Sequence, residues 1–145
     1  MPGAVPRYQH GPITYEVVEA VKGGQLVEAR AASKVGVGAA ASVKILGVAT
    51  KDALPVGASQ DYTDANFGSV VNTSPISQYV AVDSEGVWNL KTVDALAFGD
   101  LVKAGATGQV QKLVVGTDNT SQVVGRCVEP AGVSAGANGL IKLVL

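Results

Sequence analysis

A small all-β barrel or sandwich is the fold expected of this 145-residue chain. Val and Ile dominate its apolar set, and β-branched side chains favour the pleated strand. Apolar runs are short and end at turn residues, the rhythm of many short strands rather than of amphipathic helices. Eighteen glycines, about one residue in eight against a usual ~7%, supply the sharp turns and close approaches such folds need.

The elements follow in order. Residues 1–12 hold three prolines and two glycines and read as an extended N-terminal arm. Ile13 to Ala20 is the first strand, Lys22-Gly23-Gly24 a turn, and Gln25 to Arg30 the next strand, followed by Lys34 to Val37. Val43 to Ala49 is another strand. Gly57 to Pro75 is polar and turn-rich, a surface excursion. Tyr79–Val82 and Val87–Leu90 flank Asp83-Ser84-Glu85-Gly86, which predicts a hairpin. Val93 to Phe98 predicts a short helical turn, and Leu101–Lys103, Val110–Val114 and Val123–Val128 predict strands. Ala137-Asn138-Gly139 carries the Asn-Gly turn signal, and Leu140 to Leu145 closes the chain as a strand.

Three segments recur in the same order. Gly24 to Ala29 matches Gly99 to Ala104, Leu46 to Ala49 matches Val124 to Cys127, and Leu54 to Gly57 matches Val133 to Gly136. Two diverged copies of one β-unit are expected, over about 13–57 and 79–145, separated by a loop excursion at 58–78 within one β-rich domain, 13–145. In each copy a glycine turns the chain before a short strand, and a second strand contains a glycine that admits a neighbouring backbone or a bulge. The core must be built from Val, Leu, Ile and Ala, since only 5% of residues are aromatic. So light a core gains from burying further surface in an oligomer.

Charge and chemistry narrow the function. Eleven basic and twelve acidic residues are scattered singly, so no basic stripe exists for nucleic acid. Although 47% of residues are hydrophobic, no apolar run approaches the ~20 residues of a spanning helix, and no membrane partner is expected. Met1 to Arg7 lacks the charged start and apolar run of a secretion signal, so the chain is expected to be made in a cytoplasm.

Catalytic groups are few. The one histidine, His10, sits in the arm, and the one cysteine, Cys127, in an apolar run, so no zinc spacing exists. Asp61-Tyr62-Thr63-Asp64 lacks the ligand count of a calcium loop. Gly36-Val37-Gly38 lacks the third glycine of a dinucleotide site and reads as a turn. Asn72 and Asn119 begin glycosylation sequons that mark surface loops, and Trp88 reads as a core plug rather than a sugar platform. No enzyme activity, cofactor or metal is expected.

One ordered set of motifs remains. The arm is followed by Ile13-Thr14-Tyr15, then Gly23 to Val27, Leu46 to Ala49, and Val80 to Trp88. Gly99 to Val102, Gly108-Gln109-Val110, Val124 to Cys127 and Leu140 to Leu143 complete it. Over nearly the whole chain this resembles the capsid decoration, or cement, proteins of tailed phages. The excursion at Gly57 to Pro75 and the pair Arg126-Cys127, where small apolar residues are expected, depart from that pattern. The resemblance implies a homotrimer on the outer capsid surface of a virion, with the major capsid protein as partner and a stabilising, non-catalytic role. Within the arm, Val5, Pro6, Arg7, Tyr8, Gln9 and His10, with Ile13 beyond it, are the expected capsid contacts, since an extended segment orders on a partner surface. Another virion module, such as a tail or fibre subunit, or a surface-layer β-module, shares the composition. A small enzyme or lectin would need a pocket with convergent polar or aromatic groups, and the sequence offers none.

Overall fold

Short β-branched runs punctuated by glycine turns become twelve short strands in the computed structural model, which describes residues 11–55, 62–64, 68–70 and 76–145. They are β1 (Ile13–Glu16), β2 (Leu26–Ala29), β3 (Val35–Val37), β4 (Ile45–Ala49), β5 (Tyr62–Asp64) and β6 (Gly68–Val70). Then come β7 (Tyr79–Asp83), β8 (Val87–Lys91), β9 (Leu101–Ala104), β10 (Val110–Lys112), β11 (Val123–Cys127) and β12 (Asn138–Leu143). Among the described residues the only helical segments are single 3₁₀ turns. The fold is all-β.

Two five-stranded antiparallel sheets carry it, ordered β1-β7-β4-β2-β3 and β8-β12-β11-β9-β10. Read this way the orders coincide, so each strand of the first sheet has a counterpart in the second. The correspondence extends to single residues. A parallel bridge joins Val17 to Val35 in the first unit and Thr92 to Val110 in the second. The Val18 N–H donates to the Val35 carbonyl at 2.9 Å, and the Val93 N–H to that of Val110 at 2.8 Å. These bonds tie the edge of β1 to β3, and of β8 to β10, so each sheet curls on itself. Antiparallel bridges Val21–Ala53 and Leu96–Val133 repeat likewise. They pair Ala53, not Leu54, with Val133, and so move the third expected match by one residue.

Glycine is required at one matched position in the two units. β4 and β11 both carry a β-bulge, with Leu46 and Val124 as the extra residues. Beside each lies a glycine, and a Cβ there would strike the neighbouring backbone, the Asp83 carbonyl for Gly47 and that of Lys142 for Gly125. The hairpin tips also repeat, with left-handed Ala32 (φ 59°) and Ser33 (φ 60°) matching Thr107 (φ 54°) and Gly108 (φ 71°).

Several local expectations are overturned. Tyr79–Asp83 and Val87–Lys91 do not form a hairpin: β7 lies between β1 and β4, and β8 pairs with β12. Both edges of β7 are occupied, so the chain crosses at residues 84–86 to the other sheet, and Tyr79–Asp83 belongs to the first unit. Val93 to Phe98 is not helical, because bridges at Thr92 and Leu96 hold it extended. Asn138-Gly139 is not the turn. Gly136 (φ 78°) supplies it, and Gly139 lies inside β12, where a side chain would meet Val133. Gly36 is likewise within β3 rather than in a turn, packed against Glu19 and Arg30. The polar excursion contains a two-stranded pair, Tyr62–Asp64 with Gly68–Val70.

The core follows the sheets. Val17, Val27, Val35, Ala49, Val80 and Val82 fill the interior of the first unit. Their counterparts Val102, Val110, Cys127 and Ile141 fill the second, together with Leu96, Val124 and Val133. The second cluster extends across the junction to Leu26, Ile45 and Val48 on the outer face of the first sheet. β2 therefore buries both faces at its start: Val27 points into its own unit and Leu26 into the other. Burying a Leu or Val side chain contributes about 1.5–3 kcal/mol, which makes this shared cluster the main tie between the units.

Candidate functional site

The sequence-predicted contacts divide sharply. Val5, Pro6, Arg7, Tyr8, Gln9 and His10 lie outside the described residues. Ile13 opens β1, pairs with Val82 and is 41% exposed. Asn72 also lies outside, and Asp61 with it, so the sequon and the acidic pair there have no described geometry. Asn119 caps a 3₁₀ turn, its Oδ1 accepting from the Ser121 N–H at 2.9 Å. Trp88 is half-buried against the larger core cluster and donates its Nε1–H to the Glu85 carbonyl at 2.8 Å, as a core plug does. Cys127 is fully buried. Arg126 is exposed and donates to the Gly99 carbonyl at 2.7 Å, bracing the turn before β9. Among the described residues no three His, Cys, Asp or Glu side chains gather to hold a metal ion.

Two surfaces stand out instead. The first is a polar cleft of about 350 Å³ where the units meet. Its first-unit side is the turn 22–25, and its second-unit side is the tip 107–109 with Asn89, Lys91 and Asn138 from β8 and β12. The turn is held from within, since the Lys22 N–H donates to Gln25 Oε1 at 2.8 Å and the Gly23 N–H to Asp52 Oδ1 at 2.8 Å. Across the junction Gln25 Nε2 donates to the Thr107 carbonyl, and the Gly108 N–H to that of Gly38. Gly108 is needed here, because a Cβ would press on Gln25 and on the Leu26 carbonyl. Sequence reasoning missed this cleft, since its residues come from four separated segments with no common motif.

The second surface is the far end of the second unit, with exposed Phe98 (64%), Val114 and Val115 (80%). Its loops are braced by carboxylates. Asp118 accepts from Lys103 Nζ at 2.8 Å and from the Val114 N–H at 2.7 Å, and these bonds hold its carboxyl below the usual range. Asp100 accepts from the Ala97 N–H at 2.9 Å and faces Lys112 at 3.1 Å, with the same direction of shift. At Glu28, in the first unit, burial opposes ionisation, but bonds from Ser42 and the Ala39 N–H together with Arg30 outweigh it and lower the pKa.

No family model matches the chain, and no curated protein matches it. A solved structure does. The crystal structure of the head fibre gp8.5 N base of bacteriophage phi29 is similar to it. The likeness covers 94% of this chain and 95% of that one, with a TM-score of 0.61 and 16% sequence identity. At that identity the likeness is one of fold, and it runs through both β-units rather than through one.

Proposed function

We propose that this chain is a structural protein of a tailed-phage head, seated on the outer face of the capsid lattice as a decoration or cement subunit. The observation that carries the reading is the two-way, nearly complete coverage between its fold and that of a head fibre base. The ordered motifs from Ile13 to Leu143 support it independently. In this reading the partner is the major capsid protein and the subunits associate as a homotrimer. The role is mechanical, without catalysis, cofactor, nucleic acid or membrane. The arm through His10, with Ile13, adds an extended contact to the shell.

The same observation favours a second reading, in which the chain is the base of a head fibre. One experiment separates them: co-sedimentation of the purified protein with capsids lacking it, followed by heating decorated and bare shells. Saturable binding in lattice stoichiometry with a raised disruption temperature is the cement outcome. Binding at few sites with an unchanged disruption temperature is the fibre-base outcome. No binding overturns both. Deleting residues 2–12 is expected to weaken shell binding without lowering the melting temperature of the free protein.

A further inference from the structure

The cleft between the two β-units holds four side chains with no partner among the described residues: Lys22, Lys91, Asn89 and Asn138. Lys34, Lys103 and Lys112 are paired within the chain, on Glu16, Asp118 and Asp100, whereas Lys44, Lys51 and Lys142 stand exposed on the surface like the cleft lysines. What sets Lys22 and Lys91 apart is that they converge on one cleft. Asp52, bonded to the Gly23 N–H, is not part of the cleft lining, and no carboxylate is. Two lysines and no carboxylate in one cleft give it a local positive charge that favours an anionic partner.

The geometry selects among anions. A phosphate site would offer free backbone N–H groups, yet those of Gly23, Gly24 and Gly108 are all donated to protein acceptors. A sugar site would offer an aromatic platform, and no aromatic side chain lines the cleft. What the cleft does offer is a strand-like spacing. Asn89 and Lys91 are two apart on β8 and so share one face, roughly 7 Å apart, and Asn138 pairs directly across from Lys91. Lys22 faces them from the other unit. Amides that both donate and accept suit a polypeptide main chain, and lysines suit carboxylates on alternate side chains.

We propose that this inter-unit cleft binds an acidic, extended peptide segment of a partner protein, gripped by Lys22 and Lys91 and aligned by Asn89 and Asn138. The site stands on the cleft alone and holds whether or not the chain belongs to a phage head.

The test is titration of the ¹⁵N-labelled full chain with a blocked hexaglutamate peptide in low salt, followed by NMR. Saturable shifts at residues 22–25, 89–91, 107–109 and 138 are expected. K22E/K91E is expected to weaken binding at least tenfold, and the charge-matched control K44E/K142E twofold or less. All four lysines are exposed, so both variants keep the fold, which a thermal melt confirms. N89A/N138A, which removes no charge, is expected to weaken binding several-fold. Absence of shifts at millimolar peptide overturns the proposal. So does equal weakening by the two charge variants, which would mean diffuse attraction, and so does tighter binding of tripolyphosphate than of hexaglutamate at these residues.

Discussion

The first and second β-units share one strand order and one bulge, yet they differ where one of them is covered. Val48, in the first unit, is fully buried against the second. Its counterpart by strand pairing, Arg126, is exposed: Val48 pairs with Leu26 as Arg126 pairs with Leu101. At this one place the backbone carries an apolar residue where a second unit sits on it and a charged one where none does. The charge at Arg126 is local, since Phe98, Val114 and Val115 stay exposed on the same unit.

The largest test exchanges that pair. Val48→Arg puts an unpaired charge between the units and is expected to cost about 3–5 kcal/mol of unfolding free energy in urea melts. Arg126→Val is expected to change stability by less than about 1 kcal/mol while promoting self-association, read by light scattering. Equal destabilisation by both would sink the covered-versus-uncovered distinction. Next in size are the bulge glycines. Gly47→Ala and Gly125→Ala each force a methyl into a neighbouring carbonyl and should each cost about 1–3 kcal/mol, alike in the two units if the repeat is physical. Unequal costs would show that one bulge has relaxed room the other lacks.

A third pair differs in chemistry at one buried place. Val17 and Thr92 occupy the same buried place, and Thr92 Oγ1 donates to the Asp94 carbonyl at 2.7 Å, whose counterpart in the first unit is the Glu19 carbonyl. If the repeat extends to this carbonyl, Val17→Thr and Thr92→Val should each change stability by no more than about 1.5 kcal/mol, whereas a cost of about 3 kcal/mol at Val17→Thr would show that the Glu19 carbonyl is out of reach.

The smallest effect concerns pH. The turn 22–25 is closed by the neutral amide of Gln25, and the matching turn 97–100 by the carboxylate of Asp100. The Asp100 pKa is lowered in the folded chain, so its bond contributes fully above the ordinary carboxylate range and is lost as pH falls through the folded value. Between pH 6 and pH 2, amide protection at Ala97 should therefore drop relative to that at Lys22. Asp100→Asn should remove most of that difference.

Much of the frame was legible in residue order. The glycine turns at Gly24 and Gly99, the strands after them and the glycine-bearing strands at Gly47 and Gly125 are local patterns, and local chemistry determines them. The candidate site was far less legible. Lys22, Lys91 and Asn138 gather only because a tip, a turn and two strands from different units converge, and no spacing along the chain records that convergence.

The all-β character, most strand positions and the duplication are therefore written in residue order. β-branching, turn chemistry and recurrence act over a few residues or repeat along the chain. Which strands pair is not written there. The signal at Asp83 to Gly86 suits a hairpin, yet β7 has both edges filled by β1 and β4, and β8 finds its partner in β12, far along the chain. Asn138-Gly139 suits a turn, yet the packing of Val133 claims Gly139 for a strand. A turn motif states that the chain reverses or crosses. Which edge is free to receive it depends on every other strand, and that is settled only when the sheets close.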